Sequence, residues 1–429
     1  MVLSLGFNAT IVCLSIVRAS GFASTTAPTA ARVESGSRPP SQHAGSTTLA
    51  TTTSLFGASP RADAPGLVAL EFYSGIGGLR VSLERAAEAT NFETTVGSYE
   101  ISSVANSVYE HNFPGCKVTR RSIEHLSAND LDGAADIWLL SPPCQPFCRV
   151  GKKMDEQDTR SVSFLHLLSV LKTAETPPSY LFLENVQGFD GSQAHRRLLE
   201  TLTCRGFDVE QFLLSPVQLG IPNSRLRYYC LASRRNTGGE GKVSAIQESL
   251  PQNSFSQQVE EGSPLRPLSG FLDPSLAGAA AVPFLLSTKA TSHANPFLRF
   301  DVVTLRSTET TTFTKGYGKH AGRAGPVILL TDDGERRVSD ENLGRFPSGL
   351  ALGPDGREVR WFSDREMLRL HGFPEGFDFP AGVTSRQRCA LIGNSVNVEV
   401  VALLLRWMLF EGNSHGGLRK RVGDLAIGV

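Results

Sequence analysis

Cys144 stands in Ser141-Pro142-Pro143-Cys144-Gln145-Pro146-Phe147, directly after the apolar run Ala135–Leu140. A cysteine placed there sits at the carboxyl edge of a strand, where α/β proteins hold their ligands. Most cysteines are inert core filler. Here two prolines stiffen the approach, and Arg149, Lys152 and Lys153 follow closely. Positive surroundings favour the thiolate, the reactive form, so Cys144 reads as a nucleophile. Glu184 follows a second apolar run, Tyr180–Leu183, in Leu183-Glu184-Asn185-Val186. Alone it would be a surface carboxylate; with Cys144 in the same sheet, both face one crevice. Arg225 and Arg227, in Asn223-Ser224-Arg225-Leu226-Arg227-Tyr228-Tyr229-Cys230, alternate onto one strand face. Two guanidiniums side by side suit an anionic or carbonyl-bearing ligand, or equally the ion pairs of an edge strand.

A second group of residues suits a nucleoside. Phe72-Tyr73-Ser74-Gly75-Ile76-Gly77-Gly78 lies between a strand pattern and a helical one. Glycines there let backbone approach a ligand, although an ordinary tight turn has the same composition. Glu100, at the end of the next strand, is placed to accept both hydroxyls of a ribose; by itself it reads equally as a solvated strand end. Arg80 occupies the place of the third glycine of the dinucleotide pattern, so a mononucleoside-type cofactor fits better than NAD. Near the other end, Leu391-Ile392-Gly393-Asn394-Ser395-Val396-Asn397 precedes the last helix, where Ser395 is expected either to cap the helix or to reach a ligand.

The elements that position these residues alternate. Strands are expected at Leu67–Phe72, Thr94–Tyr99, Ala135–Leu140 and Tyr180–Leu183. Helices are expected at Leu79–Ala89, Ser102–Asn112 and Ser161–Lys172. That order predicts an α/β fold with a parallel sheet covered on both faces. From Ser233 to about Gly356 the chain is rich in Gly, Pro, Ser and Thr and reads as a second, irregular lobe. Regular structure returns with a helix over Ser363–His371, capped by Ser363 with Glu366 three residues on, and a last helix over Val396–Phe410.

The 429 residues, 40% hydrophobic and 20% charged, suffice for one large core or two unequal domains. With 42 basic and 42 acidic residues the net charge is zero, which argues against a sequence-blind DNA coater. Seven irregularly spaced cysteines without a C-x-x-C pair give no sign of a zinc site or disulfide framework, and no metal is expected. No run of eighteen apolar residues suggests a spanning helix, and no membrane association is expected. The first sixty-odd residues differ: an apolar start, then a Ser/Thr/Ala-rich stretch with Glu34 its only acid before Asp63. That composition suits a targeting presequence, plastid-directed in type, or a disordered tail in a cytoplasmic or nuclear protein.

Taken together and in order, these motifs resemble those of the cytosine-5 methyltransferases, over roughly Leu67 to Phe410. Within that family the chain is similar to the eukaryotic tRNA-aspartate branch, historically filed as a second DNA methyltransferase homologue. This rests on Ser141–Phe147, Ser163-Phe164-Leu165-His166, Pro222–Tyr228, Phe313-Thr314-Lys315-Gly316-Tyr317-Gly318 and Gly393–Val398. Two positions depart from the branch: Thr312 stands where it has Cys, and Cys148 where it has Thr. The resemblance implies a Rossmann-like S-adenosylmethionine-dependent fold with a smaller target-recognition lobe. It divides the chain into a presequence or tail (1–64), a catalytic lobe (65–235), the recognition lobe (236–384) and a returning C-terminal segment (385–429). It implies Cys144, Glu184, Arg225 and Arg227 as catalytic. S-adenosylmethionine would lie against Phe72, Ser74, Gly75, Ile76, Gly77, Gly78, Glu100, Ile123, Glu124, Ser141, Asn394, Ser395 and Val396. The expected substrate is a tRNA anticodon-loop cytosine, touched by Lys315, Lys319 and Arg323, with Lys152 and Lys153 near the cleft. DNA is the alternative substrate, and a catalytically silent binding module the alternative of another class. No obligate protein partner is evident.

Overall fold

Strand β1 (Gly66–Phe72) is apolar on both sides because both sides are covered. Leu67 and Ala69 enter one core, Leu70 and Phe72 the other. The structure, a computed structural model, describes residues 66–88, 92–143, 161–235, 238–251, 265–276, 283–285, 301–318, 325–329 and 359–411. After β1 come α1 (Gly78–Ala87), β2 (Glu93–Tyr99), α2 (Ser103–Asn112), the short α3 (Ala128–Leu131) and β3 (Ile137–Leu140). Then follow α4 (Val162–Thr173), β4 (Tyr180–Val186), α5 (Gln193–Cys204), β5 (Phe207–Leu214), β6 (Arg227–Arg234) and β7 (Val243–Gln247). Ser102 caps α2 by accepting from Ala105 N, so the expected start of that helix holds.

The seven strands form one sheet in the order β2-β1-β3-β4-β6-β5-β7. β1, β2, β3 and β4 are mutually parallel, as expected. β6 departs from the all-parallel expectation: it runs antiparallel to both β4 and β5. The reversal has a functional result. It pairs Arg227, the first residue of β6, with Val186, the last residue of β4. Helix α1 and the C-terminal helices cover one face of the sheet, and α4 and α5 cover the other.

The irregular lobe contains a small sheet, β10-β9-β8, made of β8 (Asp301–Val303), β9 (Pro326–Leu329) and β10 (Val359–Arg360). Its Val303 and Ile328 belong to the same buried cluster as Leu67 of β1 and Leu79 of α1. Helix α6 (Asp364–Leu370) has the expected capping box between Ser363 and Glu366. Two helices then follow where one was expected: α7 (Ser385–Gly393) and α8 (Val398–Arg406), with a π-helical turn at Trp407–Glu411. Asn397, not Ser395, caps α8, its side chain accepting from Val400 N. Over Ser385–Glu411 the chain is long and apolar enough by composition to cross a membrane. Its apolar residues, Val400, Val401, Leu403, Leu404 and Leu405 among them, are instead core residues packed beside α1.

Candidate active site

The carboxyl edge of the sheet gathers most of the chemistry-bearing residues. β1 leads into Tyr73-Ser74-Gly75, and Ser74 N donates to Tyr99 O at the end of β2 (3.1 Å). Gly77 caps α1 with φ 90°, and a Cβ there would stand 2.4 Å from the Phe113 ring. Only glycine takes that backbone and that proximity without strain. Glu100 is tied to this loop: its carboxylate accepts from Gly75 N (3.0 Å) and from Ser102 N (2.8 Å). The expected pairing of glycine loop and acid is therefore a direct contact.

A nucleoside cofactor fits these residues. Ser74 is only 5% exposed, and its Oγ has no hydrogen-bond partner among the described residues. A buried hydroxyl left so is unusual and suits a ligand's polar group. Ile101, next to Glu100, is 74% exposed, an apolar platform beside the acid. In the sequence Ile101 carries a single signal, a lone apolar residue between Glu100 and the capping Ser102. Asn394 is exposed, while Ser395 and Val396 press on the first residue of α1. A Cβ on Gly78 would lie 2.6 Å from Ser395 Oγ. Phe72 and Ile76 were expected at the cofactor, but both side chains are core, 0% and 2% exposed. The Phe72 ring stacks on Tyr99 at 5.1 Å and supports the loop from beneath. Ile123 is likewise buried, while Glu124 is exposed and near enough to Tyr73 to raise its phenol's pKa further, after burial.

Two residues of this edge went unread in the sequence. Tyr73 is the only non-glycine residue with positive φ (59°) among the described residues. Its carbonyl accepts from Ser141 Oγ (3.2 Å) and its hydroxyl donates to Ser163 Oγ (3.1 Å). The strained turn is thus over-determined by the start of the cysteine loop and by α4. Glu71 is fully buried and accepts from Arg80 N (3.2 Å) and the Tyr109 hydroxyl (3.0 Å). Burial pushes its pKa up to about 8, despite those donors. Nothing in the local sequence marks either role.

Glu184 and Arg227 meet at this edge. Arg227 Nε lies 3.4 Å from Glu184 Oε1, with both side chains largely buried. Burial holds the Glu184 carboxyl above the usual carboxylate range, while Arg227 and Arg225 pull it back. The adjacent Asn185 donates from Nδ2 to Pro142 O (3.4 Å), holding the stem of the cysteine loop against β4. Arg225 is not a second hand on the same ligand. It precedes β6, is 3% exposed, and donates to Phe313 O (3.2 Å), Gly393 O (3.4 Å) and Ser395 O (2.5 Å). The buried His371 feels it: desolvation and then Arg225 push its pKa down to about 3. Cys144 and Cys148, Lys152 and Lys153, Lys319 and Arg323, and the N-terminal segment lie outside the described residues. Lys315 is exposed.

The chain is similar to known proteins over most of its length. The family model for C-5 cytosine-specific DNA methylase matches residues 67–409. A mouse protein named tRNA (cytosine(38)-C(5))-methyltransferase is 33% identical over 390 residues, covering 80% of this chain and 93% of its own. A Dictyostelium discoideum protein named DNA (cytosine-5)-methyltransferase is 34% identical over 375 residues, covering 79% and 93%. Among solved structures, the S. pombe Dnmt2 methyltransferase superposes with TM-score 0.64 at 29% identity, over 80% of this chain and 98% of that one. With the glycine loop, the paired Glu184 and Arg227 and the returning C-terminal segment all on one sheet edge, the chain belongs to the C-5 cytosine-specific methylase family and is a cytosine-5 methyltransferase.

Proposed function

We propose that the protein methylates carbon 5 of a cytosine in tRNA, of the anticodon-loop cytosine 38 type, with S-adenosylmethionine as donor. The observation that carries this reading is the buried Glu184–Arg227 pair beside the stem of the Cys144 loop. Cytosine carbon 5 is a poor nucleophile and must first be made electron-rich. The Cys144 thiolate adds to carbon 6, forming a carbon–sulfur bond and moving an electron pair toward the ring nitrogen and carbonyl oxygen. Glu184, whose carboxyl holds its proton more tightly than usual, supplies that proton at nitrogen 3. Arg227 faces the carbonyl oxygen where negative charge develops. S-adenosylmethionine, when bound, would supply the methyl group to carbon 5 and leave as the neutral thioether. Water takes the carbon 5 proton, the electron pair it leaves expels the Cys144 thiolate, and nitrogen 3 returns its proton to Glu184. Glu100 would hold the donor's ribose, Ser74 a polar group and Ile101 its base.

The tRNA reading draws on mammalian, insect and fission-yeast relatives that carry that name, the mouse and human ones at 33% and 32% identity. The zero net charge is in keeping with a looped target, since a base leaves a loop at lower cost than a duplex. Duplex DNA is the second reading, favoured by the Dictyostelium relative's name. Paired assays with tRNA and duplex DNA, read by bisulfite sequencing, test both. We expect tRNA to be methylated far faster, and Cys144→Ala to bind cofactor yet turn over nothing. Faster methylation of DNA would overturn the substrate, and substantial turnover by Cys144→Ala would overturn the nucleophile.

A further inference from the structure

Residues Thr310–Lys315 of the irregular lobe lie along Pro222–Arg225, the loop that leads into β6. Ser224 N donates to Thr310 O (2.7 Å) and Thr310 Oγ1 donates to Pro222 O (2.9 Å). Asn223 Nδ2 donates to Thr311 O (3.2 Å), and the Thr312 hydroxyl donates to Ser224 O (2.6 Å). The next residue along, Arg225, reaches two segments at once with one guanidinium: Phe313 O on one side, Gly393 O and Ser395 O on the other. Gly393 completes the seam. A Cβ there would stand 2.4 Å from Thr314 C and 2.8 Å from Lys315 N, so backbone lies directly on backbone. Beyond it, Ser395 and Val396 meet Gly78 at the start of α1, where a Cβ would be 2.6 Å and 2.9 Å from them. Contacts therefore run unbroken from exposed Lys315 to the glycine loop.

We propose that Thr312 and Arg225 are positioning residues which lock the nucleic-acid segment Thr314–Lys315 to both Arg227 and the cofactor loop Asn394–Val396. Cofactor and tRNA then strengthen each other's binding. The inference rests on the reading that Lys315 faces the nucleic acid and that Asn394–Val396 flank the cofactor. The chemistry of the seam is specific. Serine at 312 keeps the hydroxyl donor; valine keeps the shape and leaves Ser224 O without it. A lysine at 225 is a point charge and cannot span three carbonyls as the planar guanidinium does.

The test is the affinity of the full chain for tRNA, with and without saturating S-adenosylhomocysteine. Wild type should bind tRNA about fivefold or more tightly with it, and by reciprocity tRNA should tighten S-adenosylhomocysteine by the same factor. Thr312→Ser should keep that factor, and Thr312→Val should bring it close to one. The affinity of Thr312→Val for S-adenosylhomocysteine alone should stay near wild type. Thr312→Cys, a weak donor of similar size, should fall between and guards against a folding failure of the valine variant. A wild-type factor of one, or a Thr312→Val factor equal to wild type, overturns the proposal. Methyl transfer separates the two levels. A wild type that methylates tRNA without coupling sinks this inference alone. One that methylates only duplex DNA sinks the substrate reading, and the same titration with that DNA then decides the seam.

Discussion

Glu71 and Glu184 are both buried carboxyls at one sheet edge, yet their surroundings differ. Glu184 is paired with the Arg227 guanidinium, and the charge of Arg225 behind it acts more weakly. Glu71 has the Tyr109 hydroxyl and Arg80 N; the Arg80 guanidinium is turned to Glu84 (2.7 Å) and Cys116 (2.9 Å). With its pKa raised to about 8, Glu71 is protonated in the folded protein at neutral pH. The folded state binds that proton more tightly than the unfolded chain does. Its contribution to stability is therefore full below the ordinary value of 4.5 and is lost as pH rises through about 8. Urea unfolding at pH 5.5 and pH 9 should show wild type losing more stability than Glu71→Gln over that interval. Equal losses in the two proteins would mean that the carboxyl is already ionised. Glu184 stood out in the sequence by following an apolar run in the same sheet as Cys144, and Arg227 by its alternation with Arg225. Glu71, Tyr73 and Asn185 escaped, because their roles lie in contacts with residues far along the chain.

At the scale of elements, the glycine loop carries two demands at one position. Gly77 needs a left-handed backbone and lies against Phe113 and Tyr109 of the α2 region. Gly77→Ala should cost about 2–5 kcal/mol of stability, the sum of the left-handed penalty and of overpacking. It should also weaken cofactor binding, since Gly75 N is held by Glu100 in the same loop. Calorimetry with S-adenosylhomocysteine and a denaturant melt check both, and an alanine variant matching wild type in both would mean the loop adapts freely. Helix starts were legible where capping chemistry is local, at Ser102 and at Ser363 with Glu366. The break between α7 and α8 was not. Asn397 makes it by capping α8 and donating to Leu370 O (3.0 Å), a partner that sequence spacing does not reveal.

At the scale of the whole molecule, the described residues of the irregular segment share a core with the large sheet's helices. Val303, Phe313, Ile328 and Phe362 join the cluster that contains Leu79 and Leu404. A buried ion pair fastens the small sheet to the rest. Arg360 of β10 donates to both Glu366 oxygens (2.8 and 2.7 Å), with the two side chains 2% and 0% exposed. Glu366 also accepts from Ser363 N and Asp273 N. Glu366→Ala leaves a buried guanidinium uncompensated and should cost about 3–5 kcal/mol in denaturant unfolding. Arg360→Met with Glu366→Leu should lie much nearer wild type. A Glu366→Ala variant within 1 kcal/mol of wild type, roughly the worth of an exposed pair, would show that the pair is solvated.

The sequence by itself determined the family and the parallel half of the sheet. Residue type, the alternation of apolar runs with helical ones, and the order of the motifs are local properties. Tertiary structure alone decided how the far segments return. Reversal of β6 sets Arg227 beside Glu184, because an antiparallel strand delivers its first residue to the edge where its neighbour delivers its last. The same return sends Arg225 behind the site, where carbonyls from Phe313, Gly393 and Ser395 hold it. Period-two alternation in Arg-x-Arg is the same for either strand direction. Only the pairing partner breaks that symmetry, and the partner lies forty-one residues away in the chain, as Val186 does from Arg227.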